Sequence, residues 1–219
     1  MSVYLYAVCD GRAVAPDEQG LRRGQLRMVK AAGLAALVSG LDAERLAPSE
    51  RDLWQHERVV EGLMAGFDVV PARFGSVLRG DSDVRELLLS REDELRATLC
   101  AVGGALELGV RAHTQETPES PREGASGTEY LGALRRRHDR AALLAAEVDE
   151  RLAPLSRDRR LRTSISPSIS IKAAYLVPTQ KIGSFRDRVA SLSERSGVAF
   201  SCTGPWPPYS FVGVVGEMQ

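Results

Sequence analysis

Histidine, cysteine and aromatic side chains are scarce in this chain, and neither sign of charge dominates it. There are 3 His and 3 Cys in 219 residues, and aromatic residues make up 5%. Cys9, Cys100 and Cys202 are odd in number, far apart and outside any C-x-x-C pair, which argues against a disulfide framework or a zinc knuckle and fits a reducing compartment. Lys plus Arg and Asp plus Glu stand at 29 each, so no global field draws the chain toward nucleic acid or an anionic membrane. No apolar run approaches the roughly 18 residues of a membrane span. The opening MSVYLYAVCDGR lacks a basic leader. A cytoplasmic protein is the expectation.

The 43% apolar content is enough for one large core or two small ones, and the local patterns favour two. Val3–Cys9 reads as a strand, and Leu26–Val29 with Leu34–Val38 as a strand pair. Ser49 is a plausible helix cap with Asp52 three positions on, and Leu53, His56, Val60, Leu63 and Phe67 then recur at helical spacing. A strand around Pro71 follows, then one helix from Asp81 or Ser82 to Leu99, then a closing strand at Leu106–Val110. This order predicts an α+β domain over residues 1–114, a relative of the ferredoxin-like arrangement with helices on one face of an antiparallel sheet.

Residues 115–127 hold two prolines, two glycines and no aliphatic side chain larger than alanine, which predicts an exposed linker. A second α+β domain, 128–219, is expected beyond it. Leu131, Leu134, His138, Ala141, Ala145, Val148 and Leu152 predict a long helix that Pro154 stops. Strict alternation from Leu161 to Lys172, a uniformly apolar Ala173–Val177, a helix stripe Ile182, Phe185, Val189 and Leu192, and a strand over Val198, Phe200 and Cys202 complete it.

Catalytic constellations are hard to assemble from these residues. His56 and His138 lie in apolar helix stripes, where a core imidazole held by a hydrogen bond is the commoner role, and His113 sits beside the linker. No pair of histidines has metal-ligand spacing, and no phosphate-binding glycine loop is present, so neither a metal nor another cofactor is expected. The clusters Arg135–Arg137 and Arg157–Arg162 are interleaved with Asp139, Glu147, Asp149, Glu150 and Asp158, which favours solvated faces over a nucleic-acid footprint.

Two segments exceed generic core. In Val69-Val70-Pro71-Ala72-Arg73-Phe74-Gly75 an arginine is fixed between apolar neighbours; if it points inward it must be paired, since an uncompensated buried charge costs on the order of 3–5 kcal/mol. In Gly204-Pro205-Trp206-Pro207-Pro208-Tyr209-Ser210-Phe211-Val212 three prolines hold the chain extended, so Trp206, Tyr209 and Phe211 either cap the second core or dock a partner.

With Glu107 to Arg111, the Gly-x-x-Tyr-Leu around Tyr130, and Ala174-Tyr175-Leu176-Val177, these segments stand in the order found in the gas vesicle F/L proteins, which the chain closely resembles from Tyr4 to Val212. Ala72 departs from the methionine of that family's P-M-R-F-G. The resemblance implies two modified ferredoxin-like domains, no catalysis, and an accessory place in gas vesicle formation. It implies binding of the hydrophobic main (A-type) shell protein, preventing its aggregation or aiding nucleation of the vesicle, beside other gas vesicle accessory proteins. Arg73 and Phe74 are the expected contact, with Trp206, Tyr209 and Phe211 as further partner-binding candidates. His56, Pro71, Gly75, Glu107, Tyr130, Tyr175, Gly204, Pro205, Pro207 and Pro208 are the family motif positions. The competing readings are an enzyme built on His56, Glu61 and Arg73, and a nucleic-acid binder using the arginine clusters.

Overall fold

The computed structural model describes residues 2–42, 49–114, 127–165, 169–193 and 198–213. The chain divides into two units, one formed by Met1–Ala105 with Trp206–Gln219 and the other by Leu106–Pro205. Each is an α+β body built on its own sheet.

In the first unit β1 (Ser2–Asp10) leads through a 3-10 turn to the hairpin of β2 (Leu26–Ala31) and β3 (Leu34–Leu41). Helix α1 (Glu50–Met64), β4 (Val69–Pro71), the short β5 (Val77–Leu78) and helices α2 (Asp81–Ser90) and α3 (Glu92–Val102) follow. The sheet order is β2-β3-β1-β4, with β5 also on β1 and every pairing antiparallel. That is the ferredoxin-like strand order, with a loop where the first crossover helix would stand. β1 is central and covered on both faces, so its residues are apolar throughout rather than alternating.

One face packs Val3, Leu5 and Val8 against Val84, Leu87, Leu88 and Leu95 of α2 and α3. The other packs Tyr4, Tyr6, Ala7 and Cys9 against Val59, Val60 and Leu63 of α1. Helices therefore stand on both faces of this sheet, where the sequence suggested one. A register shift between Leu5 and Ala7 explains how consecutive Tyr6 and Ala7 join the same cluster, as one extra residue in a bulge turns the strand over. The single helix expected from Asp81 to Leu99 is two, parted at Arg91, whose guanidinium holds Glu94 in the first turn of α3.

The second unit runs β6 (Ala105–Thr114), α4 (Gly127–Leu152), β7 (Asp158–Ser164), β8 (Ser170–Pro178), α5 (Ile182–Ser193) and β9 (Val198–Trp206). This βαββαβ order with strands arranged β7-β8-β6-β9 is the ferredoxin-like topology with both helices in place. Leu108, Val110 and Ala112 of β6 and Ile171, Ala173, Tyr175 and Val177 of β8 point to one face, where α4 and α5 cover them with Val148, Leu152, Phe185, Val189 and Leu192.

The boundaries expected at 1–114 and 128–219 are corrected accordingly. β6 does not close the first sheet; it is a central strand of the second, since the second sheet needs an inner strand between β8 and β9. The chain from Trp206 onward belongs to the first unit. The linker reading at 115–127 lies outside the described residues except for Gly127, and Pro167, where the alternation was expected to break, lies outside them too. Among the described residues no helix is long and apolar enough to cross a membrane.

Candidate functional site

Ser49 caps α1 as its sequence suggests, its side chain accepting from the Asp52 amide. The buried stripe that follows is His56, Val59, Val60 and Leu63, while Leu53, one turn earlier, is exposed. His56 is 0% exposed in the α1-side core of the first unit. Around its ring stand Tyr4 at 5.6 Å, Tyr6 stacked at 5.7 Å, Phe74 edge-on at 5.8 Å and Tyr209 at 6.4 Å between ring centres.

The polar atoms of this aromatic box are tied together. The Gly75 amide donates to Tyr4 Oη at 2.9 Å, and Tyr4 Oη meets His56 Nδ1 at 3.0 Å. His56 Nε2 meets Tyr209 Oη at 3.0 Å, and Tyr209 in turn bonds the Glu57 carboxylate. Assigned from its partners, the chain closes with a neutral imidazole: Tyr4 donates to Nδ1, the Nε2 proton goes to Tyr209, and Tyr209 donates to Glu57. Beside it, Tyr6 Oη takes the Leu21 amide at 2.7 Å and meets Ser39 Oγ at 2.9 Å.

Burial sets the electrostatics. It pulls His56 down to about 4 from an ordinary 6.5, with the Ala72 backbone pulling weakly the other way. It pushes the Tyr4 and Tyr209 phenols up, and it raises Glu57, which the Tyr209 hydroxyl partly offsets. The imidazole is therefore neutral at physiological pH, with both nitrogens taken by protein groups. Such a histidine acts as a tie between α1, β1 and the C-terminal segment.

Gly75 sits at φ 93°, a left-handed conformation that glycine adopts without strain, and this turn aims its amide at Tyr4. Pro71 ends β4 opposite Ala7, and the Ala72 amide makes the next bond, to the Tyr6 carbonyl. Arg73 then lies on the turn with its side chain exposed, its carbonyl taken by Ser76. The reading of a buried arginine is thereby corrected, because the strand ends before it and the turn faces it to water. Arg73→Ala should change stability by no more than about 0.5 kcal/mol in thermal denaturation.

The C-terminal segment brings Tyr209 onto His56, buries Pro207 and Pro208, and sets Val212 against the opposite core, beside α2 and α3. Capping of the second core by this segment is thus not what the structure has; it braces the first unit. Phe211 is half-buried, and Trp206 remains 37% exposed. Tyr209→Phe keeps the ring and removes two hydrogen bonds. It should cost about 1–2 kcal/mol, read as a fall of a few degrees in Tm.

The structure thus brings His56, Pro71, Phe74, Gly75 and Tyr209 together and leaves the remaining motif positions elsewhere. Gly204, at φ 101°, gives its carbonyl to Arg186 in the second unit, next to Pro205. Glu107 is half-buried on β6, and Tyr130 is exposed on α4. Tyr175 is wholly buried, its hydroxyl without a partner among the described residues. His138 is exposed, not in a core stripe, since the buried residues of α4 begin only at Ala141. Tyr4, Tyr6 and Ser39 were missed. Two tyrosines with one residue between them on an apolar strand were the available signal, because a buried tyrosine hydroxyl seeks a partner. Among the described residues no three His, Cys, Asp or Glu side chains converge as metal ligands.

Comparison with known proteins extends these observations. Gas vesicle protein L of Streptomyces sp. (strain CB03234) is 31% identical over 198 residues, 80% of this chain and 73% of that one. Gas vesicle protein F1 of Halobacterium salinarum is 24% identical over 218 residues, 97% and 93% of the two chains. The crystal structure of gas vesicle protein GvpF from Anabaena sp. PCC7120 shares the fold at a TM-score of 0.84 and 22% identity, covering 100% of this chain and 98% of that one. That of GvpF from Microcystis aeruginosa does so at 0.78 and 20%, covering 97% and 99%. Residues 2–213, which span both sheets and the segment carrying Tyr209, match the family described as gas vesicle synthesis protein GvpL/GvpF. The chain belongs to that family, and its place is in gas vesicle formation.

Proposed function

We propose that this protein is a non-enzymatic assembly factor that binds the hydrophobic main shell subunit in the cytoplasm, beside the growing vesicle, and keeps it from aggregating until it joins the wall. A free shell subunit with exposed apolar surface and unpaired strand edges would self-associate, and a folded surface that covers it reversibly delays this. Family membership carries the reading. The closed hydrogen bonding of His56 supports its non-enzymatic half, because a general base needs an accessible lone pair within reach of a substrate.

The first unit is the proposed contact. It exposes large apolar side chains on the first turn of α1, Leu53 at 43% and Trp54 at 59%, together with Trp206 and the charged Arg73. Such groups favour a partner that is greasy with a polar rim. Phe74, expected to join the contact, serves from within by packing on His56. In the full-length chain, Trp54→Ser with Arg73→Ala should leave Tm within about 2 °C of the parent, since both side chains are exposed. The same variant should lose most capture of tagged shell subunit in co-expression. Capture at the parental level would move the contact elsewhere. A Glu61→Gln variant that still restores vesicles in a deletion strain counts against the enzyme reading.

A further inference from the structure

Helices α4 and α5 pack on one face of the second unit's sheet, and the opposite face carries an unusual charge arrangement where its residues are exposed. Arg162 of β7 stands directly opposite Lys172 of β8 in the antiparallel register, and both are exposed. The Thr114 amide bonds the Ile169 carbonyl, and following that register three residues inward sets Arg111 of β6 beside Lys172. Their sequence neighbours Leu161, Ile171, Ala173, Val110 and Ala112 pack into the helix-covered core, so all three cations project from the opposite face, where each is exposed. None of the three makes an ion pair among the described residues, whereas Arg160, two residues along the same face, is held by Asp158.

Like charges directly opposite each other on neighbouring strands destabilise a sheet. A row of three such charges lowers the stability of the unit that carries it, and an acidic partner removes that repulsion on binding. We propose that this row is a docking site for an acidic polypeptide segment, its Asp and Glu carboxylates pairing with Arg111, Arg162 and Lys172. A nucleic acid fits less well. Sheets that read single strands stack several bases on exposed aromatic side chains, and the outward positions flanking the row, His113, Ser170 and Ser164 on one side and Gly109, Ala174 and Arg160 on the other, offer the single ring of His113. The site lies in the second unit and does not depend on the shell-subunit contact proposed for the first.

The test uses the full-length chain and labelled polyglutamate as the probe, with a single-stranded oligonucleotide and anionic phospholipid vesicles as competitors. Polyglutamate should bind in low salt and weaken steeply between about 0.05 and 0.3 M NaCl. Arg162→Glu with Lys172→Glu should weaken it by about tenfold or more, while Tm stays near the parental value because one like-charged pair replaces another at exposed positions. Two outcomes would overturn the proposal: binding unchanged in the double variant, or the oligonucleotide or vesicles displacing polyglutamate and binding more tightly. A fall in Tm that accompanied weaker binding would assign the row a structural part instead, and Arg162→Gln with Lys172→Gln, which keeps the fold neutral, would then have to bind as the parent does.

Discussion

Replacing His56 with alanine should destabilise the first unit by about 3–5 kcal/mol, on the order of 10 °C in Tm. The imidazole fills a wholly buried space among four aromatic rings and bonds two phenols, so its loss opens a cavity and strips a partner from Tyr4 and Tyr209 together. His56→Phe separates the two costs. It restores the volume, leaves both hydroxyls short of a partner, and should recover only part of the loss. A His56→Ala protein that melts with the parent but fails to support vesicles would instead give His56 a direct functional part.

The second large effect is on acid sensitivity. The folded state holds His56 at about 4 against an ordinary 6.5, so between those values the unfolded chain binds the proton and the folded one does not. Stability therefore rises with pH through this window, is complete above about 6.5, and is lost as pH falls toward 4, by about 3 kcal/mol in total. Glu57, bonded through Tyr209 to the same network, works in the opposite sense: its raised pKa lets the folded state keep a proton more readily and offsets part of the loss at the acid end. His56→Gln removes the titrating imidazole while keeping a polar side chain between Tyr4 and Tyr209. Denaturant melts at pH 7 and near pH 5 should show a smaller difference in that variant than in the parent.

Much of this architecture could be read from local pattern. β1, the β2–β3 hairpin, the Ser49 cap and a short strand around Pro71 all follow from apolar β-branched runs, turn residues and capping chemistry, which act within a few residues. What escaped depends on distant partners. The alternation in β6 marks a strand but not its sheet, and only the place between β8 and β9 shows that it opens the second unit. Tyr209 lies 153 residues from His56, and no spacing rule relates them. Arg73 misled because its neighbours Ala72 and Phe74 do pack inward, and whether the strand stops before the arginine or after it is a matter of one residue. The break at Arg91 escaped because Glu92 and Asp93 continue the helical composition across it.

The most direct measurement is light scattering from the denatured shell subunit diluted into buffer with and without this protein. Suppression that saturates near one or a few copies per shell subunit, and that persists in the Glu61→Gln variant, is the predicted result. Scattering that is unchanged by the protein, or abolished by trace amounts acting many times over, would contradict a holding role.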